Sequence, residues 1–348
     1  MHRRLFALLG TLLALGCLAM TAGACGDDDS GGGSSEGSTA QAPADVPAEP
    51  EPGTFRMGIE PWLGYGPWRI AEEQGLFERN GLDVKITNFA TDDQINAAFA
   101  GGKLEGTNIA THTALRFAAS GLPIKIVLLE DQSTTADAIV ASEGLTSVSE
   151  LKGKKVAFEE GTTSDILLSY ALAENGMTKE DISPVPIPAA DAGSAFIAGR
   201  VDAAVTYEPY LTSALEQDAD AKLLYTAGEN PGLVGDVFVV SEDTLSEKPG
   251  QIAALVKTWG EALEAYEADM EGSQAIIEKS VGAEPGALKT AFEGVKFYDL
   301  AQNKSLLAGE YATTTIEDVK QAAVDAGLLE GDVDPKDIIV ATFVEEAG

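Results

Sequence analysis

The chain has 348 residues and a formal net charge of −33, from 56 Asp and Glu against 23 Lys and Arg. So acidic a surface repels nucleic acid and anionic lipid, and we therefore expect no nucleic acid partner. The two cysteines, Cys17 and Cys25, both lie near the N-terminus, so we expect neither a disulfide nor a cysteine metal site in the folded region.

Residues 1–24 have the pattern of a secretory signal peptide, because a basic MHRR precedes the apolar run LFALLGTLLALGCLAM and the small residues TAGA. The segment 25–53 is rich in Gly and Ser and then in Pro, Glu and Ala, so we predict a disordered tether. This order resembles a bacterial lipoprotein acylated at Cys25 and held by lipid alone on the outer face of the cytoplasmic membrane. Acylation at Cys17, or a signal peptide followed by an incidental cysteine, are the alternatives.

Two stretches 97 residues apart resemble each other, AAFAGGKLEGTNI at 97–109 and SAFIAGRVDAAVT at 194–206. Each ends a unit that we predict to run strand, glycine-bearing loop, helix, strand, helix, turn, strand. The first strands of the two units are TFRMGI and KKVAFE. The pattern predicts an α/β fold of two similar lobes, each with parallel strands.

Two apolar runs are predicted to cross between the lobes, KIVLLEDQSTTADAIVAS at 125–142 and GDVFVVSEDTL at 235–245. We therefore expect lobe 1 to comprise 54–138 and 238–348, and lobe 2 to comprise 139–237. The chain after about residue 245 has helical periodicity, and TTTIED and Gly327 are predicted to bracket the last helix. Two such lobes form a cleft, in which ligands sit beyond the carboxyl ends of the strands.

The loops after the predicted strands supply the candidate ligand contacts. One of them, IEPWLGYGPWR at 59–69, holds many rings but is too broken by Gly and Pro to be a helix interior or a regular strand. Trp68 begins a helix and is expected in the core. The candidate substrate-binding residues are Glu60, Trp62, Tyr65, Thr111, His112, Asp131, Gln132, Gly161, Thr162, Thr163, Tyr207, Glu208 and Asp236.

Four motifs, in this order and spacing, resemble the periplasmic-type binding proteins of the nitrate, sulfonate, taurine and thiamine-precursor uptake family (SsuA/THI5-like, NMT1-like). They are GIEPWLGYGPWRIAEEQGLFERNGLDV, AAFAGGKLEGTNI, LKGKKVAFEEGTTSDILL and GRVDAAVTYEPYL. The resemblance spans 54–345 and implies a type II periplasmic-binding-protein fold. It also implies a monomer whose lobes close over a small molecule without catalysing a reaction. Such a protein delivers its ligand to the permease and ATPase subunits of an ABC importer. The positions it implies to face the ligand are Trp62, Tyr65, Thr111, Asp131, the GTTS turn and Glu208.

The side chains at the predicted cleft favour a ligand that is a cation or an N–H donor. Carboxylates such as Glu208 and Asp236 repel one another unless a cation joins them, and aromatic rings attract cations. No Arg or Lys is among the candidates, and only His112 can be positive. We predict a small guanidinium-, amine-, urea- or aminopyrimidine-like ligand. The alternative is a small anion of the sulfonate, taurine or nitrate type on the GTTS turn, which can instead be an ordinary helix cap at Ser164.

Two other classes of function remain as alternatives. The signatures GxSxG, HExxH and GxxxxGK are missing, and His112 has no cysteine or second histidine to join it once His2 leaves with the signal. An enzyme using a carboxylate pair in the same cleft is still possible on these residues. A lipid-anchored adhesin or scaffold explains the tether but not the paired lobes. We predict no enzyme activity, no catalytic residue, no cofactor and no metal.

Overall fold

The structure, a computed structural model, describes residues 46–347. The predicted signal peptide, Cys17, Cys25 and most of the predicted tether lie outside the described residues. Within them, no helix is at once long and apolar enough to cross a lipid bilayer.

The strands of the described chain form two mixed sheets. The sheet order is β11-β4-β10-β3-β1-β2 in the first lobe and β7-β6-β8-β5-β9 in the second. The strands are β1 Thr54–Ile59, β2 Asp83–Asn88, β3 Gly106–Ala110, β4 Ile124–Ser133, β5 Asp137–Ala141, β6 Lys155–Phe158, β7 Ser183–Pro186, β8 Ala203–Tyr207, β9 Lys222–Thr226, β10 Gly235–Ser241 and β11 Val295–Phe297.

Helices connect the strands, and most of the chain after β10 is helical, as predicted. The helices are α1 Gly66–Glu73, α2 Leu76–Arg79, α3 Asp92–Ala100, α4 Thr111–Ala119, α5 Thr163–Glu174, α6 Ala189–Ile197, α7 Tyr210–Gln217, α8 Glu242–Glu247, α9 Pro249–Ala268, α10 Met270–Ser280, α11 Leu300–Leu307, α12 Ile316–Asp325 and α13 Thr342–Glu346.

Of the two boundaries predicted for the last helix, the C-terminal one is confirmed and the N-terminal one is wrong. The threonines of TTTIED do not cap α12, because they lie in a π-helical turn, Tyr311–Thr315, that runs directly into it. Gly327 follows the helix with a φ of +72°, the left-handed conformation that ends helices. A further helix, α13, comes after it.

The structure confirms the internal repeat. In the first unit β1 pairs in parallel with β2 and β3, and in the second unit β6 pairs in parallel with β7 and β8. The helix before the third strand of each unit ends at a glycine of positive φ, +68° at Gly102 and +65° at Gly199. Each glycine therefore turns the chain back toward its sheet.

The acidic residue of each repeated turn has the same structural task. Glu105 Oε2 accepts a hydrogen bond from the backbone N–H of Arg56 in β1, at 2.7 Å. In the second unit, Asp202 Oδ2 accepts one from the backbone N–H of Lys155 in β6, at 2.8 Å. The carboxylate thus closes the turn onto the first strand of its own unit, which is why the acid recurs at the same offset.

The chain crosses between the sheets twice. It leaves the first sheet after β4 and enters the second at β5, so the crossover is 134–136, and it returns between β9 and β10, at 227–234. Both crossovers precede the boundaries expected at 138/139 and 237/238. The strands that enter a sheet from the cleft, β5 and β10, run antiparallel to their neighbours, because the parallel strands of each unit run toward the cleft. The sheets are therefore mixed rather than parallel.

A buried aromatic cluster anchors the helix that follows the ring-rich loop. Trp68 is fully buried, and its centroid lies 5.0 Å from that of Trp259 and 5.5 Å from that of Phe238. Its indole N–H donates to Glu130 Oε1 at 2.6 Å. Burying such a side chain stabilises a fold by about 1.5–3 kcal/mol. Trp68 is thus a core residue, as predicted, and it holds α1 and the loop before it in place.

The end of the predicted tether is part of the folded structure. The carboxylate of Glu51 accepts hydrogen bonds from the backbone N–H groups of Gly250 and Gln251, at 3.0 and 2.9 Å, in the first turn of α9. The Gln251 amide donates to the carbonyls of Glu51 and Gly53. An acid at a helix N-terminus accepts hydrogen bonds from the unpaired N–H groups of the first turn, and its negative charge interacts favourably with the helix dipole. Residues 51–53, which the sequence assigned to a disordered tether, are therefore part of the folded structure.

Candidate ligand-binding site

A cavity lies where the loops of the two lobes meet. It encloses about 370 Å³ of space not filled by protein atoms, including the part open to solvent. Its lining residues are Glu60, Trp62, Tyr65, Asp92, Ala110, Asp137, Thr163, Tyr207, Val234 and Asp236. Six of them belong to the predicted set, whereas Asp92, Ala110, Asp137 and Val234 do not.

The ring-rich loop positions Trp62 against a buried acid. The Trp62 indole N–H donates to both carboxylate oxygens of Asp131, each at 3.2 Å. A Cβ at position 64 would lie 2.0 Å from Asp131 Oδ2 and 2.2 Å from Trp62 Nε1. Position 64 must therefore be a glycine for this contact to form. Asp131 stands behind the ring and does not line the cavity. Its role is to orient Trp62.

A row of aromatic rings joins the two lobes. Trp62, from the loop after β1, meets Tyr207, the last residue of β8, edge to face with centroids 5.8 Å apart and planes at 90°. Tyr207 in turn meets Tyr210 at 5.5 Å. Edge-to-face pairs contribute about 0.5–1.5 kcal/mol beyond the burial of their surface. Trp62 and Tyr207 therefore line the cavity from the two lobes and also form a contact between them.

Four carboxylates line the cavity. Asp137 is 5 % and Asp236 7 % exposed, and Oε1 of Glu60 is shielded from solvent without a hydrogen-bond partner among the described residues. Burial raises the pKa of Asp137 to about 7. Burial, with the nearby charge of Glu159, also raises the pKa of Asp92 to about 7.

The same causes act on the other two carboxylates. Burial raises the pKa of Glu60 and of Asp236, and neighbouring acids raise both further. Because the lining residues include no Lys, Arg or His, nothing on the cavity wall neutralises these groups. The site therefore suits a positively charged group or an N–H donor, which would lower the cost of ionising the carboxylates.

The structure places Glu208 and Gln132 away from the cavity lining. The Glu208 carboxylate accepts hydrogen bonds from the backbone N–H and the hydroxyl of Thr212, both at 3.0 Å, and so is engaged at the start of α7. The Gln132 side chain accepts one from the Tyr298 hydroxyl at 2.7 Å. Both residues follow or end strands as predicted, but their polar atoms are satisfied within their own lobes.

Thr111 and His112, at the start of α4, are buried behind the cavity. The Thr111 hydroxyl donates to the carbonyl of Gly235 at 2.9 Å and lies 3.0 Å from the Tyr311 hydroxyl. Burial and the charge of Arg116 lower the pKa of His112 to about 3. His112 is therefore neutral at physiological pH, so the one candidate residue that can be positive carries no charge there.

The GTTS turn caps a helix, but from a different residue than expected. The N-cap of α5 is Thr162, whose hydroxyl accepts from the Ser164 N–H at 3.3 Å and donates to the Glu159 carbonyl at 2.9 Å. Ser164 lies inside the helix. Thr163 lines the cavity, so only this residue of the turn reaches the candidate site.

Arg116 is a cation next to the cavity that the sequence interpretation missed. Its guanidinium, on α4 of the first lobe, donates to the carbonyl of Gly161 in the second lobe. Its charge also acts to lower the pKa of Asp92. The helical spacing of four from His112, on a helix that begins at the cleft, was the available signal. Arg116 bridges the lobes without lining the cavity.

The remaining missed residues had weaker signals. Asp92 begins α3 soon after β2, so the rule applied to the other strand ends would have found it at this one. Asp137 begins β5, inside a run that the sequence presents as one continuous strand. Within residues 46–347, no group of three or more His, Cys, Asp and Glu side chains is arranged to hold a metal ion.

Comparisons with known proteins agree on the fold. The NMT1/THI5 like family model matches residues 65–271. A protein of Brucella abortus (strain 2308) described as a binding protein is 27% identical over 292 residues, 83% of this chain and 90% of the relative. A protein of Escherichia coli (strain K12) described as binding aliphatic sulfonates is 28% identical over 241 residues, 68% of this chain and 74% of the relative. The crystal structure of the periplasmic aliphatic sulphonate binding protein SsuA from Escherichia coli superposes with a TM-score of 0.70 at 22% identity, over 83% of this chain and 92% of that one.

Proposed function

The chain belongs to the NMT1/THI5-like family, and we propose that it is an extracytoplasmic solute-binding protein of an ABC importer. The observation that carries this proposal is the cavity lined from both lobes at the crossovers between them. In such a fold the lobes close over a small molecule and present it to the permease and its ATPase subunits. The protein acts as a monomer anchored to the membrane by a lipid on Cys25.

The proposal treats the protein as a binder rather than an enzyme. The two relatives described above are both named as binding proteins. The ten lining residues include no Ser, Cys, His or Lys, and their hydroxyls come from Thr163, Tyr65 and Tyr207. These side chains support binding through rings and carboxylates, and they offer no nucleophile paired with a base.

For the ligand, we propose a small nitrogen compound of the guanidinium, amine, urea or aminopyrimidine type. Four carboxylates and three rings line the cavity, and no cationic side chain does. A guanidinium or ammonium group over a shielded ring gains about 2 kcal/mol, and it pairs with carboxylates that are otherwise costly to ionise. The charge of the lining thus supports a cation.

The second candidate is a small anion of the sulfonate, taurine or nitrate type. The names of the relatives favour it, since two of the similar proteins reported above bind or are described as binding aliphatic sulfonates. Within this chain, Thr163 near the N-terminus of the twelve-residue α5, with Arg116 beside the cavity, supports an anion. For ligand class, the relatives point to this candidate more than to the nitrogen compound.

Calorimetry on ligand-stripped protein decides between the two. Guanidine, putrescine and a 4-aminopyrimidine represent the nitrogen compounds, and taurine, methanesulfonate and nitrate represent the anions. We expect a nitrogen compound to bind and to raise the melting temperature. Binding of only an anion would replace the ligand class and leave the transport role, whereas chemical conversion of a bound compound would overturn the role itself.

A further inference from the structure

The two crossovers between the lobes lie side by side and are bonded to each other. The backbone N–H of Gly228, in the second crossover, donates to the carbonyl of Thr134, in the first, at 2.5 Å. Just inside the second lobe the same two chains pair as strands, with Ala138 of β5 opposite Thr226 of β9. A contact that holds one crossover therefore restrains the other as well.

A single carbonyl of the first lobe holds the first crossover. Gly294 ends a short 3₁₀ helix, Ala291–Gly294, and leads directly into β11, which pairs with the end of β4. Its carbonyl accepts hydrogen bonds from the backbone N–H and the hydroxyl of Thr134, at 2.8 and 3.0 Å. The backbone N of Thr135 lies 3.4 Å from the same oxygen. Thr134 is thus bonded into the first lobe, although it lies beyond the last residue of β4.

The close approach at Gly294 requires a residue without a side chain. A Cβ at position 294 would lie 2.6 Å from Thr135 Oγ1 and 2.8 Å from the backbone N of Ala136, and real Cβ atoms essentially never come within 3.0 Å of such atoms. The φ of Gly294 lies outside the left-handed region. The space beside the crossover, and not the backbone conformation, therefore calls for a glycine here.

The second lobe begins immediately after this contact. The carbonyl of Ala136 accepts a hydrogen bond from the backbone N–H of Glu208, directly after β8, at 3.0 Å. In the other chain β9 ends at Thr226, and Gly228 is already bonded to the first crossover. At Ala136 and Ala227, therefore, each chain passes between a part bonded to the first lobe and a part bonded to the second.

One hydrogen bond spans the joint at Ala136. The Ser133 hydroxyl, at the end of β4, accepts from the backbone N–H of Asp137 at 3.0 Å. A hydroxyl can follow a moving donor because its side chain turns about χ1. The N–H of Thr134 and the carbonyl of Gly294 are both backbone groups, so their bond has no such freedom. The joint therefore has an adjustable link beside a rigid one.

We propose that Gly294 is a clamp that fixes Thr134, and through it Gly228, to the first lobe. The lobes then turn about Ala136 and Ala227, which we call the pivots, and the rest of both crossovers moves with the first lobe. This turning is the lobe closure of the proposed function, on which the pivots rest, whereas the clamp is a property of the ligand-free protein. Hinges are commonly a few residues at the ends of elements that absorb a change in φ and ψ.

Amide hydrogen exchange at single-residue resolution, on ligand-stripped protein, tests the clamp. A bonded amide exchanges only when its bond opens, so its rate reports the free energy of local opening. We expect the amides of Thr134 and Gly228 to exchange at least about 100-fold more slowly than those of an unstructured chain. The amide of Val239, in β10 between β3 and β4, is the internal reference for global unfolding.

Gly294→Ala should release both crossovers together. We expect the amides of Thr134 and Gly228 to exchange faster by the same factor, about tenfold or more relative to the reference amide, because the new methyl group displaces the first crossover. Gly106→Ala is the matched control, because its Cβ would also lie 2.6 Å from its nearest atom, Phe238 Cζ, but at the start of β3, away from the crossovers. This variant should keep both relative rates.

A milder variant covers the case in which Gly294→Ala does not fold. Thr134→Val keeps the shape of the side chain and removes only the hydroxyl bond to the Gly294 carbonyl. It should speed the exchange of the Thr134 and Gly228 amides about threefold relative to the reference amide. An unchanged rate at Gly228 in this variant would show that Thr134 does not restrain the second crossover.

A pair of variants in the second crossover tests the pivots. Ala227→Gly adds backbone freedom at a pivot, and we expect small-angle scattering to show a larger radius of gyration for the ligand-free protein. Glu229→Gly makes the same change two residues further on, at an exposed position on the clamped side, and should leave the radius as in the wild type.

The outcomes separate the inference from the proposed function. Free-chain exchange at Thr134 or Gly228 in the wild type, or release of only one of them in Gly294→Ala, overturns the clamp. Equal radii for Ala227→Gly and Glu229→Gly overturn the pivots. All of these measurements use ligand-free protein, so they stand apart from the calorimetry that decides the proposed ligand and the transport role.

Discussion

The indole nitrogen of Trp62 lies 3.2 Å from each carboxylate oxygen of Asp131, so a ring on the cavity wall is held by an acid that does not itself line the cavity. Asp131 comes from the end region of β4 and Trp62 from the loop after β1. The position of the ring therefore depends on the packing of that loop against the sheet, and Gly64 is what permits the approach.

Gly64→Ala should disturb this contact and weaken binding. The new methyl group would lie 2.0 Å from Asp131 Oδ2, and overpacking of a tight site costs about 1–3 kcal/mol. Urea denaturation measures the loss of stability and calorimetry the loss of affinity. Wild-type stability in Gly64→Ala would contradict the role given to this glycine.

Asp236→Asn should lower the binding affinity, whereas Glu208→Gln should lower mainly the stability of the fold. Asp236 lines the cavity, and removing one partner of a desolvated charge pair costs about 2–5 kcal/mol of binding, so affinity should fall more than tenfold. Glu208 is bonded to Thr212 instead, so Glu208→Gln should lower stability by about 1 kcal/mol and leave affinity within threefold. Calorimetry and urea denaturation on both variants measure this, and a larger binding loss in Glu208→Gln would return that residue to the site.

Arg116→Gln should favour an open arrangement, in which the two lobes stand further apart at the cavity. The hydrogen bond from Arg116 to the Gly161 carbonyl joins them, and bonds from charged groups contribute about 1.5–3 kcal/mol. Small-angle scattering should show a larger radius, and every ligand should bind more weakly by the same factor. Arg79→Gln, at an exposed position, is the control. A loss confined to sulfonates would instead identify Arg116 as an anion contact.

The stability of the ligand-free protein should fall as the pH rises toward 8. Asp92 and Asp137 have a pKa raised to about 7, so the folded state holds their protons more tightly than the unfolded state. Their contribution is complete below about pH 4 and is lost as the pH rises through 7. The lowered pKa of His112 acts in the opposite direction below about pH 6.5, and equally in wild type and variants.

Urea denaturation from pH 5 to pH 8 therefore measures the carboxylate effect as a difference. Asp137→Asn keeps the shape of the side chain but removes one titrating group. We expect the fall in the free energy of unfolding between pH 5 and pH 8 to be smaller in this variant than in the wild type. Parallel profiles would show that Asp137 titrates normally in the folded state.

Cys25→Ala should release the protein into the medium, whereas Cys17→Ala should leave it with the membrane. The sequence before Cys25 ends in small residues, as cleavage of a signal requires, and we propose that a lipid on Cys25 then anchors the protein. Cell fractionation shows where each variant is, and intact mass after detergent extraction shows whether a lipid is present. Membrane retention of Cys25→Ala in the lipidated form would refute the assignment.

The sequence predicts the fold better than it predicts the site, for a physical reason. The repeat depends on local rules, such as a glycine of positive φ at Gly102 and Gly199, followed three residues later by an acid that accepts a hydrogen bond from a strand N–H. Such rules leave a pattern that can be aligned. The strand-end rule also predicts that Glu60, Trp62 and Asp236 come together.

Which side chain of a loop faces the cavity depends on partners that the chain brings from elsewhere. The Glu208 carboxylate accepts a hydrogen bond from Thr212, and the Gln132 side chain accepts one from Tyr298, a residue 166 positions away. Arg116 reaches Gly161 in the other lobe. None of these contacts has a local signature, so position at the end of a strand did not distinguish the lining residues from their neighbours.

Asp137 is the first residue of β5 and Asp236 the second of β10, so both stand just beyond the crossovers between the lobes. When one lobe rotates against the other about the crossovers, atoms near the axis travel least and those far from it sweep the longest arc. Asp137 and Asp236 therefore keep nearly the same separation throughout the motion. For the ligand site that we propose, a molecule arriving at an open form would meet these two carboxylates already in place, and we expect its rate of release to depend on the residues that closure brings in afterwards.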